Sequence, residues 1–302
     1  MNLQYVADGL LLGATIGLGA IGLTLTYSIL RFANFTHGDL ISWGAYFTFS
    51  LAGAIGGLIS SEVLPIGPFS FGWPILLAGL IAMLLTGLLA LVLDQLLFRQ
   101  LRRRGSAIIM VIASFGASLA LRSLLEFIYT PQPLYFSQEL QIALPLGLGV
   151  RLTPDQLAVL ALTAILVLGM HLLLTRSHIG RAMRATSENP ALAEVVGIDV
   201  VAVTRVTWLI GGALACAAGV MVGLTVQIRP YMGFDLLLPL FAAAILGGIG
   251  SIPGAILGGL IVGLAESLGV VLVGAQYRAA ISFLVLIAVL LVRPAGLFGS
   301  RD

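Results

Sequence analysis

The 302-residue sequence contains no lysine; all 15 of its basic residues are arginine. A P-loop places a lysine on the β- and γ-phosphates of its nucleotide, so this chain holds no standard Walker-type ATPase site. Schiff-base chemistry, which needs a lysine amine, is excluded by the same absence. Charge of either sign is scarce, at 9% of residues, against about a quarter in soluble domains. So few charges cannot cover a water-facing surface for a chain of this length. The single cysteine, Cys216, lies in an apolar run and rules out an intramolecular disulfide. His37, His171 and His178 stand without ligand spacing, so no metal site is expected. A net charge of +2 is too small to point to nucleic acid. No nucleophile–base constellation appears, which leaves an enzyme as the least supported class.

What the chain has instead is apolar length, with 59% hydrophobic residues and a mean hydropathy of +1.10. Charge-free stretches run over residues 9–30, 40–61, 74–93, 107–121, 156–175, 206–228, 236–265 and 279–292. A helix needs about 20 apolar residues to cross the hydrocarbon core. Long continuous runs match helices and not the short alternating strands of a barrel. The fourth stretch is expected to continue to Tyr129, with Arg122 and Glu126 paired one helical turn apart. The last is expected to begin near Gly274. No basic segment precedes the first run, which therefore reads as a retained helix and not a signal peptide. The expected fold is all-α: a polytopic transmembrane helical bundle of about eight membrane segments (seven to nine), forming one domain over residues 1–302.

Orientation follows from the arginines. Arg31, Arg99, Arg102, Arg103, Arg104, Arg176, Arg181, Arg184, Arg205, Arg293 and Arg301 fall in one set of connections, and Arg151, Arg229 and Arg278 in the other, eleven against three. The positive-inside rule makes the first set cytoplasmic, with the amino terminus outside and the carboxyl terminus inside. Parity then requires stretch 236–265 to cross an even number of times. Its 30 residues are too long for one crossing at about 1.5 Å per residue. It breaks at Gly247-Gly248-Ile249-Gly250-Ser251-Ile252-Pro253-Gly254. A broken glycine-rich hairpin is expected, of the kind that lines substrate pathways in transporters. Glycines at four-residue spacing (Gly9, Gly13 and Gly17; Gly219 and Gly223; Gly254 and Gly258; Gly259 and Gly263) signal close helix packing.

The connection 176–205 is the most informative soluble piece. Asn189 suits an N-cap, Pro190 the first helical position and Gly197 the stop, which predicts a short helix over 190–196 outside the membrane. That helix carries Ala191, Leu192, Val195 and Val196 with only Glu194 charged. Left bare, such a face is costly, so it reads as a plug for a partner's groove.

The run GRAMRATSENPALAEVVGID (180–199) resembles the cytoplasmic coupling loop of ABC-importer permeases, in the subgroup for branched-chain and neutral amino acids. GLTLTYSILRFANFTHGDLISWGAY (22–46), GGIGSIPGAILGGLIVG (247–263) and RPAGLFG (293–299) resemble the same subgroup in the same order, so the likeness spans essentially the whole chain. Thr36, where alanine is commoner, and Arg31, just before the motif, are the small departures. The resemblance implies a permease in a bacterial inner membrane, paired with a second related permease, two cytoplasmic ABC ATPases and a periplasmic substrate-binding protein. ATP and magnesium would be used by the ATPases, and no cofactor by this chain. It also implies that Gly180, Arg181, Arg184, Ser187, Glu188, Asn189, Pro190, Ala191, Leu192, Glu194, Val195, Val196 and Gly197 form the ATPase-coupling element.

Pathway or gate candidates are Asn34, His37 and Asp39 at the cytoplasmic end of the first helix pair, Gly247, Gly248, Gly250 and Ser251 at the break, and Glu266 after it. Intramembrane ionisable groups are functional candidates by default. The competing reading of Asn34 and Thr36 is a cap for the second helix, and that of Glu266 a solvated position near an interface. Asp94 is expected to be solvated or paired with Arg99. Rival functions are a urea or short-amide ABC permease and, from another class, an ion-coupled secondary transporter.

Overall fold

The computed structural model describes residues 3–59, 66–102, 106–137, 141–147, 149–293 and 296–298. Arg103, Arg104 and Arg301 of the orientation argument, Ser60 and Ser61 of the second apolar run, and Pro294, Ala295 and Gly299 of the C-terminal motif lie outside them.

The elements are α1 (Leu3–Leu30), α2 (Thr36–Ile59), α3 (Trp73–Leu93), a π-helical turn (Asp94–Phe98), α4 (Arg99–Arg102), α5 (Ala107–Tyr129), β1 (Leu144–Gly147), β2 (Val150–Leu152), α6 (Pro154–Arg176), α7 (His178–Glu188), α8 (Pro190–Val195), α9 (Val200–Thr225), α10 (Met232–Gly247), α11 (Ile252–Val273), a 3-10 turn (Ala275–Tyr277) and α12 (Arg278–Val292). Seven helical stretches among the described residues are long and apolar enough to cross a membrane, and α10 is a shorter apolar helix. α2 is 24 residues long but carries His37, Asp39 and Ser42 in its first half. The chain is a multi-pass helical membrane protein. Exposed apolar side chains such as Leu84, Phe127, Ile165 and Leu291 clothe its perimeter, where lipid replaces water as solvent. The small antiparallel hairpin β1–β2 is an addition to the expected all-helical chain.

Glycines set the helix contacts. Along the antiparallel pair α1 and α11, Gly9 lies against Leu264, Gly13 against Leu260 and Gly17 against Ile256. A Cβ on Gly263 would sit 2.3 Å from Gly13 N, and one on Gly259 2.4 Å from Gly17 Cα. The expected ladder is therefore a contact between two backbones. α9 works the same way on three sides: Gly211 meets α1 at Thr26, Gly212 meets α3 at Gly87, and Gly219 meets α2 at Ile41. Gly263→Val has no room and is expected to lower stability by about 1–3 kcal/mol, the usual cost of overpacking. Gly57, with nothing within 4 Å of an added Cβ, tolerates alanine. Thermal unfolding of the two variants in detergent makes the comparison.

The glycine-rich break falls between α10 and α11, where Gly248 and Gly250 have φ of 93° and 92°. Ser251 caps α11, its Oγ accepting from Gly254 N–H at 3.1 Å. The chain's own C-terminal end covers the exposed end of α10: Leu297 N–H donates to Leu246 O at 2.8 Å and Phe298 N–H to Gly247 O at 3.1 Å. These bonds satisfy carbonyls that a helix end leaves open. Asp94 is buried and paired with Arg102, not with Arg99. The reason is local: the π-turn carries the acid onto the bundle's inner side, where a desolvated carboxylate is costly to leave unpaired.

Candidate functional site

α7 and α8 form a short arm on one end of the bundle. Ser177 opens α7, its Oγ accepting from Gly180 N–H at 2.9 Å. A Cβ on Gly180 would lie 2.4 Å from Leu174 O, so the glycine lets α7 fold tightly against the end of α6. Gly180, Met183 and Thr186 face inward at three-residue spacing, while Arg181 and Arg184 are exposed. Asn189 ends α7 and starts α8, its Oδ1 accepting from Leu192 N–H at 3.0 Å, with Pro190 at the first helical position. Gly197 stops the helix at φ 88°. Ile198 N–H reaches back to Ala193 O at 2.9 Å and Gly197 N–H to Glu194 O at 3.0 Å, a Schellman closure. The expected helix is thus present, one residue shorter than forecast.

This arm turns a bare apolar tip outward. Ala193 is 3% exposed and faces the bundle, whereas Leu192 is 60%, Val195 82% and Val196 67% exposed. Ala191, Glu194 and Gly197 share the outer side. Ser187 and Glu188 meet Arg31, which the motif comparison marked only as a departure: it donates to Ser187 O and, at 3.5 Å, to Glu188 O.

Asn34, His37 and Asp39 lie deeper than the end of the first helix pair. His37 Nε2 is 3.0 Å from Gly19 O, and Gly22 backs onto the His37 ring. Gly22 is eight residues before the end of α1, about 12 Å along the helix at 1.5 Å per residue. The link 31–35 therefore turns back into the bundle before α2 begins. Protein covers it, as irregular backbone inside a membrane protein requires: Phe32 and Asn34 are both buried. Asn34 caps α2 as expected, its Oδ1 accepting from Thr36 N–H at 3.1 Å and from the Thr36 hydroxyl at 2.5 Å.

Asp39 is the centre of a buried ionic cluster. It accepts from the Ser118 hydroxyl and, at 3.2 Å, from Arg122 Nε. The Arg122 guanidinium also donates to Ser118 Oγ at 3.2 Å. It lies 4.0 Å over the Phe234 ring and 5.1 Å over Tyr231. The expected Arg122–Glu126 pair is corrected: Arg122 points inward, and the fully buried Asp39 has the greater need of a counter-charge. Beside the cluster, Ser42 Oγ donates to Pro230 O and accepts from Gly233 N–H, both at 3.0 Å. These contacts join α2, α5 and the start of α10.

A cavity of about 1120 Å³ opens at the end of the bundle away from the arm, lined among others by Thr15, Arg229, Phe234, Asp235, Phe241, Glu266 and Arg278. Glu266 is buried in its wall and not solvated at an interface. Its carboxylate accepts from the Ser282 hydroxyl and lies 3.8 Å from Arg278 Nε. Arg229 and Asp235 stand 3.6 Å apart. Phe35, from the inward link, touches this cavity and rests on Phe241 at 5.4 Å and Phe115 at 5.9 Å. The gate candidates thus separate into three places. Asn34, His37 and Asp39 sit inside the bundle, Glu266 lines the cavity, and Gly247, Gly248, Gly250 and Ser251 lie at the arm's end. There Gly250 N–H donates to Thr24 Oγ1 at 2.7 Å.

A family model described as branched-chain amino acid transport system, permease component, matches residues 5–290. The high-affinity branched-chain amino acid transport system permease protein LivH of Escherichia coli strain K12 is 32% identical over 306 residues, covering 99% of this chain and 96% of the relative. The corresponding protein BraD of Pseudomonas aeruginosa is 33% identical over 307 residues, with coverage of 99% and 96%. A probable LivH of Methanocaldococcus jannaschii is 30% identical over 295 residues, with coverage of 93% and 87%. No solved structure matches the chain.

Proposed function

This chain belongs to the permease-component family of branched-chain amino acid transport systems, and from that premise we propose that it is the membrane-spanning subunit of an ABC importer for branched-chain or other neutral amino acids. The observation that carries the reading is the α8 tip: Leu192, Val195 and Val196 held bare on a capped helix that nothing in the chain covers among the described residues. A soluble face with that character calls for a partner groove. An ATPase groove is the fitting occupant, because the chain carries no lysine for a P-loop of its own.

The arginine distribution supports placing the α7–α8 end in the cytoplasm, with the amino terminus outside and the carboxyl terminus inside a bacterial plasma membrane. The cavity then opens outward, where a substrate-binding protein delivers its cargo. Its wall holds two acid–base pairs, Glu266 with Arg278 and Asp235 with Arg229, and a further acid, Asp8. Groups of both signs in one wall suit a solute that carries both an ammonium and a carboxylate, and leave selection among neutral amino acids to the binding protein. The chain acts as one permease unit, with 176–205 as the part that meets the ATPases. Two ATPases, which use ATP and magnesium, and a second related permease complete the machine.

Purification in mild detergent from native membranes, followed by mass spectrometry, tests the assembly. The expected result is recovery of a P-loop ATPase, a related permease and a soluble binding protein whose ligand names the cargo. A binding protein loaded with urea or a short amide redirects the cargo assignment. A chain that purifies alone and remains competent for uptake contradicts the importer reading.

A further inference from the structure

We propose that Arg31 is a positioning residue that makes the inward link between α1 and α2 follow the α7–α8 arm. The proposal rests on the reading of α8 as the ATPase contact and assigns the route by which its movement enters the bundle.

Four observations converge on Arg31. First, it directly follows α1 with φ 58°, a left-handed conformation unusual outside glycine, and its N–H donates to Tyr27 O at 2.8 Å. Second, from that position the guanidinium reaches the carbonyls of Ser187 and Glu188, the last two residues of α7. These belong to the final turn, whose carbonyls have no partner within the helix and form its negative end. Asn189 and α8 follow at once, so Arg31 holds the elbow between α7 and α8. Third, Arg31 is continuous with buried residues that reach the cavity wall. Phe32 rests on Phe98 at 5.2 Å, and Phe98 stacks on Trp208 of α9 at 5.3 Å. Phe35 rests on Phe241, and Asp39 holds Arg122 against Phe234. Phe35, Phe234 and Phe241 all line the outer cavity. Nine residues, 31–39, therefore connect the arm to that wall.

Fourth, the joined elements hold buried polar atoms without a hydrogen-bond partner among the described residues: Asn34 Nδ2 and His37 Nδ1 at the link and the start of α2, and Thr186 Oγ1 on α7. Buried unpaired groups favour any rearrangement that pairs them. A rigid, fully bonded link would resist displacement; this one has a reason to shift when α7 is pushed.

The test uses the complete transporter reconstituted in proteoliposomes, with ATP hydrolysis stimulated by loaded binding protein and amino-acid uptake measured on the same vesicles. In Arg31→Ala, molecules imported per ATP hydrolysed fall about tenfold, within the range that one coupling residue commands, while hydrolysis continues. Arg31→Lys recovers much of the ratio, because an ammonium still reaches the two carbonyls, and Arg31→Gln recovers less. If alanine prevents assembly, the lysine and glutamine variants carry the test alone. An unchanged import-to-hydrolysis ratio overturns the proposal. So does a parallel loss of uptake and hydrolysis that lysine does not rescue, which marks a structural role only. The coupling reading beneath it is checked separately: intact ATPase attachment and uptake after aspartate substitution on α8 would remove that reading whatever Arg31 does.

Discussion

Aspartate at both Leu192 and Val195 lowers amino-acid uptake by two orders of magnitude or so while the permease still folds. Each side chain is largely exposed in the isolated chain, so a carboxylate there costs the bundle little. In a partner groove the same carboxylate is desolvated without a counter-charge, at several kcal/mol, and about 1.4 kcal/mol is worth a factor of ten in association. The checks are the thermal midpoint of the purified permease, the ATPase retained on purification, and uptake in proteoliposomes. Unaltered stability with lost uptake, whether through ATPase release or through hydrolysis that no longer drives import, is the predicted pattern. Normal uptake at normal expression contradicts it.

The second large effect lies inside the bundle. Asp39→Ala leaves the Arg122 guanidinium buried without its carboxylate and is expected to destabilise the protein by about 3–5 kcal/mol. Such a loss is a large part of the stability of most domains, so folded yield drops sharply. Replacing both partners, Asp39→Leu with Arg122→Leu, is expected to restore most of it, since a well-packed apolar pair often equals a buried ion pair. Thermal unfolding of Asp39→Leu, Arg122→Leu and the double variant forms a cycle. Additive losses would mean that Asp39 and Arg122 do not act as a pair.

Features encoded over a few residues were readable before any coordinates. The sequence Asn-Pro followed by Gly197 specified where α8 starts and stops, because each residue supplies a backbone conformation or bond that its neighbours cannot. The glycines and Pro253 specified the break between α10 and α11 for the same reason. The glycine ladder of α1 pointed to a close partner helix but did not name it. Identifying α11 took the facing Gly259 and Gly263, which only the fold aligns.

The readings that failed depended on distance in the chain. Helical spacing offered Arg122 a partner four residues away, whereas its partner Asp39 is 83 residues away. Asn34, His37 and Asp39 looked like a surface turn because the apolar runs stop at Leu30 and resume at Leu40. The clue to their depth was Phe32 and Phe35, apolar residues in a supposed loop. α7 went unforecast because its inner face is made of Gly180, Met183 and Thr186, only one of them a large apolar residue. The cavity draws its wall from both ends of the sequence, including Thr15, Glu266 and Arg278, and no local pattern announces such a site.

The most direct measurement is uptake of labelled leucine by proteoliposomes holding this chain with its co-purified subunits, with no ion gradient imposed. The account predicts import only when ATP is supplied on the side of the α8 tip and loaded binding protein on the other, with loss of import in the α8 aspartate variant. Import without ATP that appears once an ion gradient is imposed on the same vesicles, indifferent to the α8 substitutions, would contradict it.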